Sequence, residues 1–201
     1  MNEVMQAIFR CQERGVVRTE KGSVFICPTP RNGDQSYLHS LYAPCSELDL
    51  FMLETILGFA LPREYRSFMA LYNGANLFNN TIAIYGLGGN FSRSLCLDGQ
   101  SAISIDEENQ FYKALRTRDW SLGWRVVGSA VALQKSQLVI RASGETRFET
   151  SDGKVKTFAS FFDALLQLIA VADRHFGCEG FCDESYDDLE AEYCAISSGA
   201  N

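Results

Sequence analysis

The sequence predicts an α+β fold, a mainly antiparallel sheet packed by several helices, and three patterns carry that prediction. Between Trp124 and Thr157, five β-rich runs follow one another with only short turns between them. Strands joined so briefly pair antiparallel, because a parallel crossover needs about a dozen residues or more. From Phe161 to Phe176 the apolar residues Phe161, Phe162, Leu165, Leu166, Leu168, Ile169 and Val171 recur at helical spacing and make a broad buried face. The stretch from Leu57 to Ala75 closes one helix and opens another. Pro62 suits a first helical turn, where an N–H has no intrahelical partner, and Gly74 suits the residue past the end, where a positive φ is wanted.

Residues 1–45 are the least regular part. Val4, Ile8 and Cys11 share a face of a short helix ending before Gly15, and Val24 to Cys27 reads as a strand followed by the breakers Pro28, Pro30, Asn32 and Gly33. Ser46 with Asp49 three residues on is an N-terminal cap, and Leu50, Leu53, Ile56 and Leu57 form the apolar stripe behind it. In the next helix Tyr65, Phe68, Met69 and Tyr72 fall on one face, which leaves Arg63, Glu64, Arg66 and Ser67 to water. Asn80 to Leu87 alternates as a strand. Asp106, Glu107 and Glu108 suit a helix N-terminus, with Phe111, Tyr112 and Leu115 as its apolar face to about Arg118. The strands that follow are Trp124–Val127, Ala130–Leu133, Leu138–Ala142, Thr146–Thr150 and Lys154–Thr157, with Ser143-Gly144 and Asp152-Gly153 as turns. Thr157 or Ser160 caps the last long helix, Arg174 and His175 sit in its final turn, and Gly177 stops it.

The order Leu57-Gly58, Leu61-Pro62, Tyr65, Phe68, Asn73-Gly74 resembles the SUKH superfamily, which contains bacterial immunity proteins and the yeast cell-wall assembly regulators of the Smi and Knr type. The likeness continues through the Ile82–Leu87 strand, Trp124-Arg125-Val126-Val127-Gly128, the Gly153-Lys154-Val155 turn and the closing helix, so it covers roughly residues 46 to 176. The chain departs from the family's Gly-Asp-rich turn after the Trp124 strand, reading Ser129 to Gln137 instead, so no surface role passes to that loop. The resemblance implies a structural role for Leu57, Gly58, Leu61, Pro62, Tyr65, Phe68, Asn73, Gly74 and Trp124, and a protein-binding function.

With 201 residues, 46% of them apolar, the chain is long enough for one domain with extensions. The expected organisation is an N-terminal extension or small subdomain over 1–45, a SUKH-like domain over 46–177 and an acidic tail over 178–201. The longest nearly apolar run, Leu165 to Ala172, is far short of the roughly 20 residues a membrane span needs. The N-terminus lacks the basic-then-apolar order of a signal peptide, so a cytoplasmic protein is expected. Seven cysteines at irregular spacings do not make a secreted disulfide framework and are read as buried or incidental thiols.

The net charge of −7 comes from the tail, which holds Glu179, Asp183, Glu184, Asp187, Asp188, Glu190 and Glu192 and no Lys or Arg. The rest of the chain is balanced, which excludes a globally basic nucleic-acid binder. Phe181, Tyr186, Leu189 and Tyr193 are interleaved with those acids. One reading is a helix docked on its own domain. The other is a surface for a basic partner, made of Phe181, Asp183, Glu184, Tyr186, Asp187, Asp188 and Glu190, with aromatics as anchors and carboxylates steering encounter.

No catalytic set assembles from the residues. His39 has no adjacent nucleophile pair, and His175 is explained by a helix terminus. Gly86-Leu87-Gly88-Gly89-Asn90 lacks the spacing and the Lys-Ser/Thr pair of a phosphate loop and reads as a turn. Cys178, Cys182 and Cys194 with His175 are too loosely spaced for a structural zinc site, and Asp106, Glu107 and Glu108 point in different directions on a helix. No cofactor and no metal are expected. The resemblance then implies a non-catalytic immunity protein that neutralises a bacterial toxin of nuclease or deaminase type by direct contact, the partner being a basic protein. A regulatory scaffold binding several partners is the alternative, and a cysteine- or zinc-dependent enzyme a remote one.

Overall fold

A computed structural model describes residues 1–30, 36–88, 97–130, 136–150, 153–176 and 186–198. Among them, nine strands form one sheet in chain order: β1 Val16–Arg18, β2 Val24–Pro28, β3 Tyr37–Leu41, β4 Ala75–Leu77, β5 Ile82–Ile84, β6 Arg125–Ala130, β7 Ser136–Ile140, β8 Thr146–Glu149 and β9 Val155–Phe158. Every neighbouring pair is antiparallel. The helices are α1 Asn2–Ile8, α2 Glu47–Leu57, α3 Arg63–Leu71, α4 Ile105–Leu115, α5 Thr117–Ser121, α6 Phe161–His175 and α7 Tyr186–Ser198. This is the expected α+β architecture. Residues 1–45 supply α1, which rests on α6, and β1 to β3, of which β3 pairs with β4.

The helix ends follow the local chemistry closely. Ser46 caps α2 in a reciprocal box, its hydroxyl accepting from the Asp49 N–H while the Asp49 carboxylate accepts from the Ser46 N–H at 2.8 Å. Ser160, not Thr157, caps α6 through the Asp163 N–H at 3.2 Å. Pro62 immediately precedes α3. Glu64 departs from expectation. It is half-buried, and its carboxylate accepts the Phe162 N–H of the first turn of α6 at 3.0 Å, so it ties two helices together instead of facing water.

Two asparagines act as short strands where the sheet runs out. Asn73 accepts the Leu87 N–H at 2.7 Å and donates to the Leu87 carbonyl at 2.6 Å. Asn109, fully buried on α4, accepts the Val126 N–H at 3.0 Å and donates to the Val126 carbonyl at 2.7 Å and to the Ile105 carbonyl at 2.8 Å. Gly74 stands beside Asn73 at φ 82°, and a Cβ there would lie 2.6 Å from both the Ile84 carbonyl oxygen and the Ala102 Cβ. Asn73-Gly74 is therefore an interlock between the start of β4 and the chain leaving β5. Gly86 completes it, since a Cβ there would sit 2.5 Å from the Asn73 carbonyl oxygen.

Of the remaining family positions, Leu57, Leu61, Tyr65, Phe68 and Trp124 are buried, whereas Gly58 is the exposed left-handed C-cap of α2 (φ 78°) and Pro62 is half-buried. Tyr65 and Phe68 pack edge-on against Phe161 with centroids 5.1 and 5.7 Å away. Trp124 is buried with the guanidinium groups of Arg147 and Arg141 at 3.9 and 4.9 Å from its ring centroid. Arg125 stacks on Trp120 at 3.5 Å and donates to the Leu57 carbonyl at 2.7 Å, which pins the end of α2.

Some elements differ from the sequence expectation. The Asn80–Leu87 strand is reduced to Ile82–Ile84, and β4 is additional. Phe78, Asn79 and Asn80 all take left-handed backbone (φ 51°, 53° and 71°), so the β4–β5 connection is a tight turn where alternation suggested a longer strand. Strand β6 runs through to Ala130, and the rest of the strand expected over Ala130–Leu133 lies outside the described residues. The helix expected to run to Arg118 breaks at Arg116 into α4 and α5.

Candidate protein-interaction surface

Helix α2 carries apolar side chains on two opposite faces. Leu50, Leu53 and Leu57 are buried against the domain, while Leu48, Phe51 and Met52 remain 68, 65 and 48% exposed. At 100° per residue the second stripe sits about 180° around the helix from the first. A surface helix needs one apolar stripe to face its core, and the second stripe of α2 has no interior to occupy. The signal was present in the sequence, since Leu48, Phe51 and Met52 fall at i, i+3 and i+4. It is easily passed over once the core stripe has been found.

Neighbouring helix α4, which contacts α2, adds Phe111 at 53% and Leu115 at 61% exposure. The same two helices carry acid. Glu47, Asp49 and Glu54 lie on α2, which has no Lys or Arg, and Asp106, Glu107 and Glu108 occupy the first turn of α4, with Lys113 in its last. Glu47 pairs at 2.6 Å with Arg66 of α3, Glu54 accepts the Leu61 N–H at 3.0 Å, and hydrogen bonds from Ser46 hold the Asp49 carboxyl below its usual range.

The tail residues chosen from sequence are placed only in part. Phe181, Asp183 and Glu184 lie outside the described residues; Tyr186, Asp187 and Glu190 fall within α7, and Asp188 is exposed there. Helix α7 docks on α6 and β9. Leu189 and Tyr193 are fully buried, the Tyr193 hydroxyl donates to the Leu168 carbonyl at 3.1 Å, and Glu192 meets His175 at 3.2 Å and also pairs with Arg174. Leu189 and Tyr193 are thus packed into the domain.

The candidate chemical groups are occupied structurally. His39 is buried on β3, accepts the Phe78 N–H at 3.4 Å, and is pushed down to about 3 by burial, with Arg10 adding to the shift, so it stays neutral. Burial pushes the Cys45 thiol up to about 12 and raises Cys27 as well, which leaves neither as a thiolate at neutral pH. Cys11 departs from the thiol reading: it is disulfide-bonded. Glu149 is buried on β8 against Arg116 at 2.8 Å, burial raising its carboxyl. Among the described residues no group of three or more His, Cys, Asp or Glu is placed to hold a metal ion, and no helix is long and apolar enough to cross a membrane.

No curated protein matches the chain. A family model described as SMI1 / KNR4 family (SUKH-1) matches residues 44–167, which contain the Leu57-to-Gly74 motif, its Asn73-Gly74 interlock, Trp124 and the whole of α2 and α4. The chain therefore belongs to the SMI1/KNR4 family (SUKH-1).

Proposed function

We propose that this chain acts by binding another protein without catalysing a reaction, and that the bound protein is a bacterial toxin that it neutralises. The observation that carries the reading is the second apolar stripe of α2, held on a rigid helix with no interior to receive it. Monomeric proteins rarely leave such clusters uncovered unless a partner uses them. Family membership supports the same class of function, since the SUKH resemblance includes immunity proteins. The acidic balance of the chain suits a basic nuclease or deaminase, because complementary charge speeds association.

The scaffold alternative drew on a tail able to serve several partners. Burial of Leu189 and Tyr193 ties residues 186–198 to the domain and favours the single-partner reading, with Asp188 exposed to contribute charge. A cytoplasmic setting fits an immunity role, whereas the disulfide at Cys11 favours an oxidising one, and a non-reducing gel of protein from its native cells decides between them. The functional test is co-expression with the toxin encoded beside the chain's own gene. Survival that depends on the chain is expected, and killing that proceeds unchanged in its presence refutes the reading.

A further inference from the structure

We propose that the outer face of α2, centred on Phe51 with Leu48 and Met52 beside it and Glu47, Asp49 and Glu54 on the same helix, is the docking surface for a basic protein partner; this rests on the binding reading above. The stripe is presented ready for use. Its helix is fixed at the start by the Ser46–Asp49 box, at the end by Arg125 on the Leu57 carbonyl, and along the side by Arg66 on Glu47. Little order remains to be gained on binding, the condition under which exposed aromatic and aliphatic anchors contribute most. Three side chains are an anchor and not a whole interface, which takes about 800 Å² per partner. Exposed Phe111 and Leu115 lie on α4, the helix that contacts α2.

Charge selects the occupant. A second copy of the chain meeting α2 by two-fold symmetry would set Glu47, Asp49 and Glu54 against the same three acids. Nucleic acid and anionic membrane are repelled by the same groups. A protein surface rich in Lys and Arg, with an apolar residue to insert beside Phe51, is complementary on both counts.

The test places the photo-crosslinker benzoylphenylalanine at position 51 of the full chain in its native cells and identifies the adduct by mass spectrometry. The expected product joins the chain to one basic protein. That protein, purified, then binds the wild-type chain, with affinity that weakens as salt rises and falls roughly 30-fold or more for Phe51→Ala or Leu48→Ala. Val155→Ala, which trims an exposed apolar residue on β9, leaves affinity unchanged. Phe51 and Leu48 are largely exposed, so both variants keep the wild-type melting temperature. An adduct of two copies of the chain, no adduct, or affinity indifferent to Phe51→Ala and Leu48→Ala overturns the assignment. A basic partner without toxin activity that passes these tests supports the surface and overturns the toxin reading alone.

Discussion

Gly74 and Gly153 provide a matched pair that isolates what the family's Asn-Gly motif does. Both have φ 82°, but a Cβ at Gly74 would lie 2.6 Å from the Ile84 carbonyl oxygen and 2.6 Å from the Ala102 Cβ, whereas a Cβ at Gly153 would meet nothing within 4 Å. Gly153→Ala therefore carries only the left-handed penalty of about 1–2 kcal/mol. Gly74→Ala carries that penalty plus a collision with backbone, which overpacking series place at about 1–3 kcal/mol, for a total of about 2–5 kcal/mol. Urea unfolding of the two variants beside wild type reads the difference as a shift in midpoint at constant slope. Adding Ala102→Gly to Gly74→Ala removes one of the two close contacts and recovers part of the loss. Equal losses at the two glycines would refute the interlock and leave Gly74 as an ordinary turn residue.

Three further outcomes follow from the same geometry. Asn109→Ala strands the N–H and carbonyl of buried Val126, at about 1–3 kcal/mol each, so a loss of about 2–6 kcal/mol is expected in urea together with faster exchange of the Val126 amide. A buried His39 held at about 3 binds fewer protons than its unfolded counterpart, ordinarily near 6.5, so its contribution is complete above that value and is lost as pH falls. From pH 7 to pH 5 that amounts to about 2 kcal/mol, and His39→Asn flattens this part of the stability curve; parallel curves for the two proteins contradict it. Tyr193→Phe removes the hydrogen bond to the Leu168 carbonyl and weakens docking of α7 by about 1 kcal/mol, seen as faster limited proteolysis within residues 186–198.

What the sequence disclosed was mostly what is local. The Ser46–Asp49 box, the Ser160 cap and four of the five short-turn strands expected after Trp124 depend on residues a few positions apart, and each of these is formed. Contacts across long separations were not legible. Glu64 reads as a solvent-facing acid until α6 brings the Phe162 N–H to it, and nothing in residues 105–121 marks the break at Arg116, which has neither Gly nor Pro. Strand β4 is three residues long, and the left-handed run at Phe78 to Asn80 conceals where it ends. On the functional side, the helical face of the tail was readable from Tyr186, Leu189 and Tyr193, but the place that receives Leu189 and Tyr193 on α6 and β9 was not. The α2 stripe was the reverse case. Its pattern was in the sequence, and only burial of the opposite face distinguished anchor from core.

The proposed function depends on α2 holding a partner. The most direct measurement is isothermal titration of the purified chain with the toxin encoded beside its gene, repeated with Phe51→Ala. Tight equimolar binding by wild type, weakened roughly 30-fold or more by the single truncation, is the predicted result. Equal affinity in the two titrations would contradict the α2 surface, and no binding by wild type would contradict the toxin-neutralising function itself.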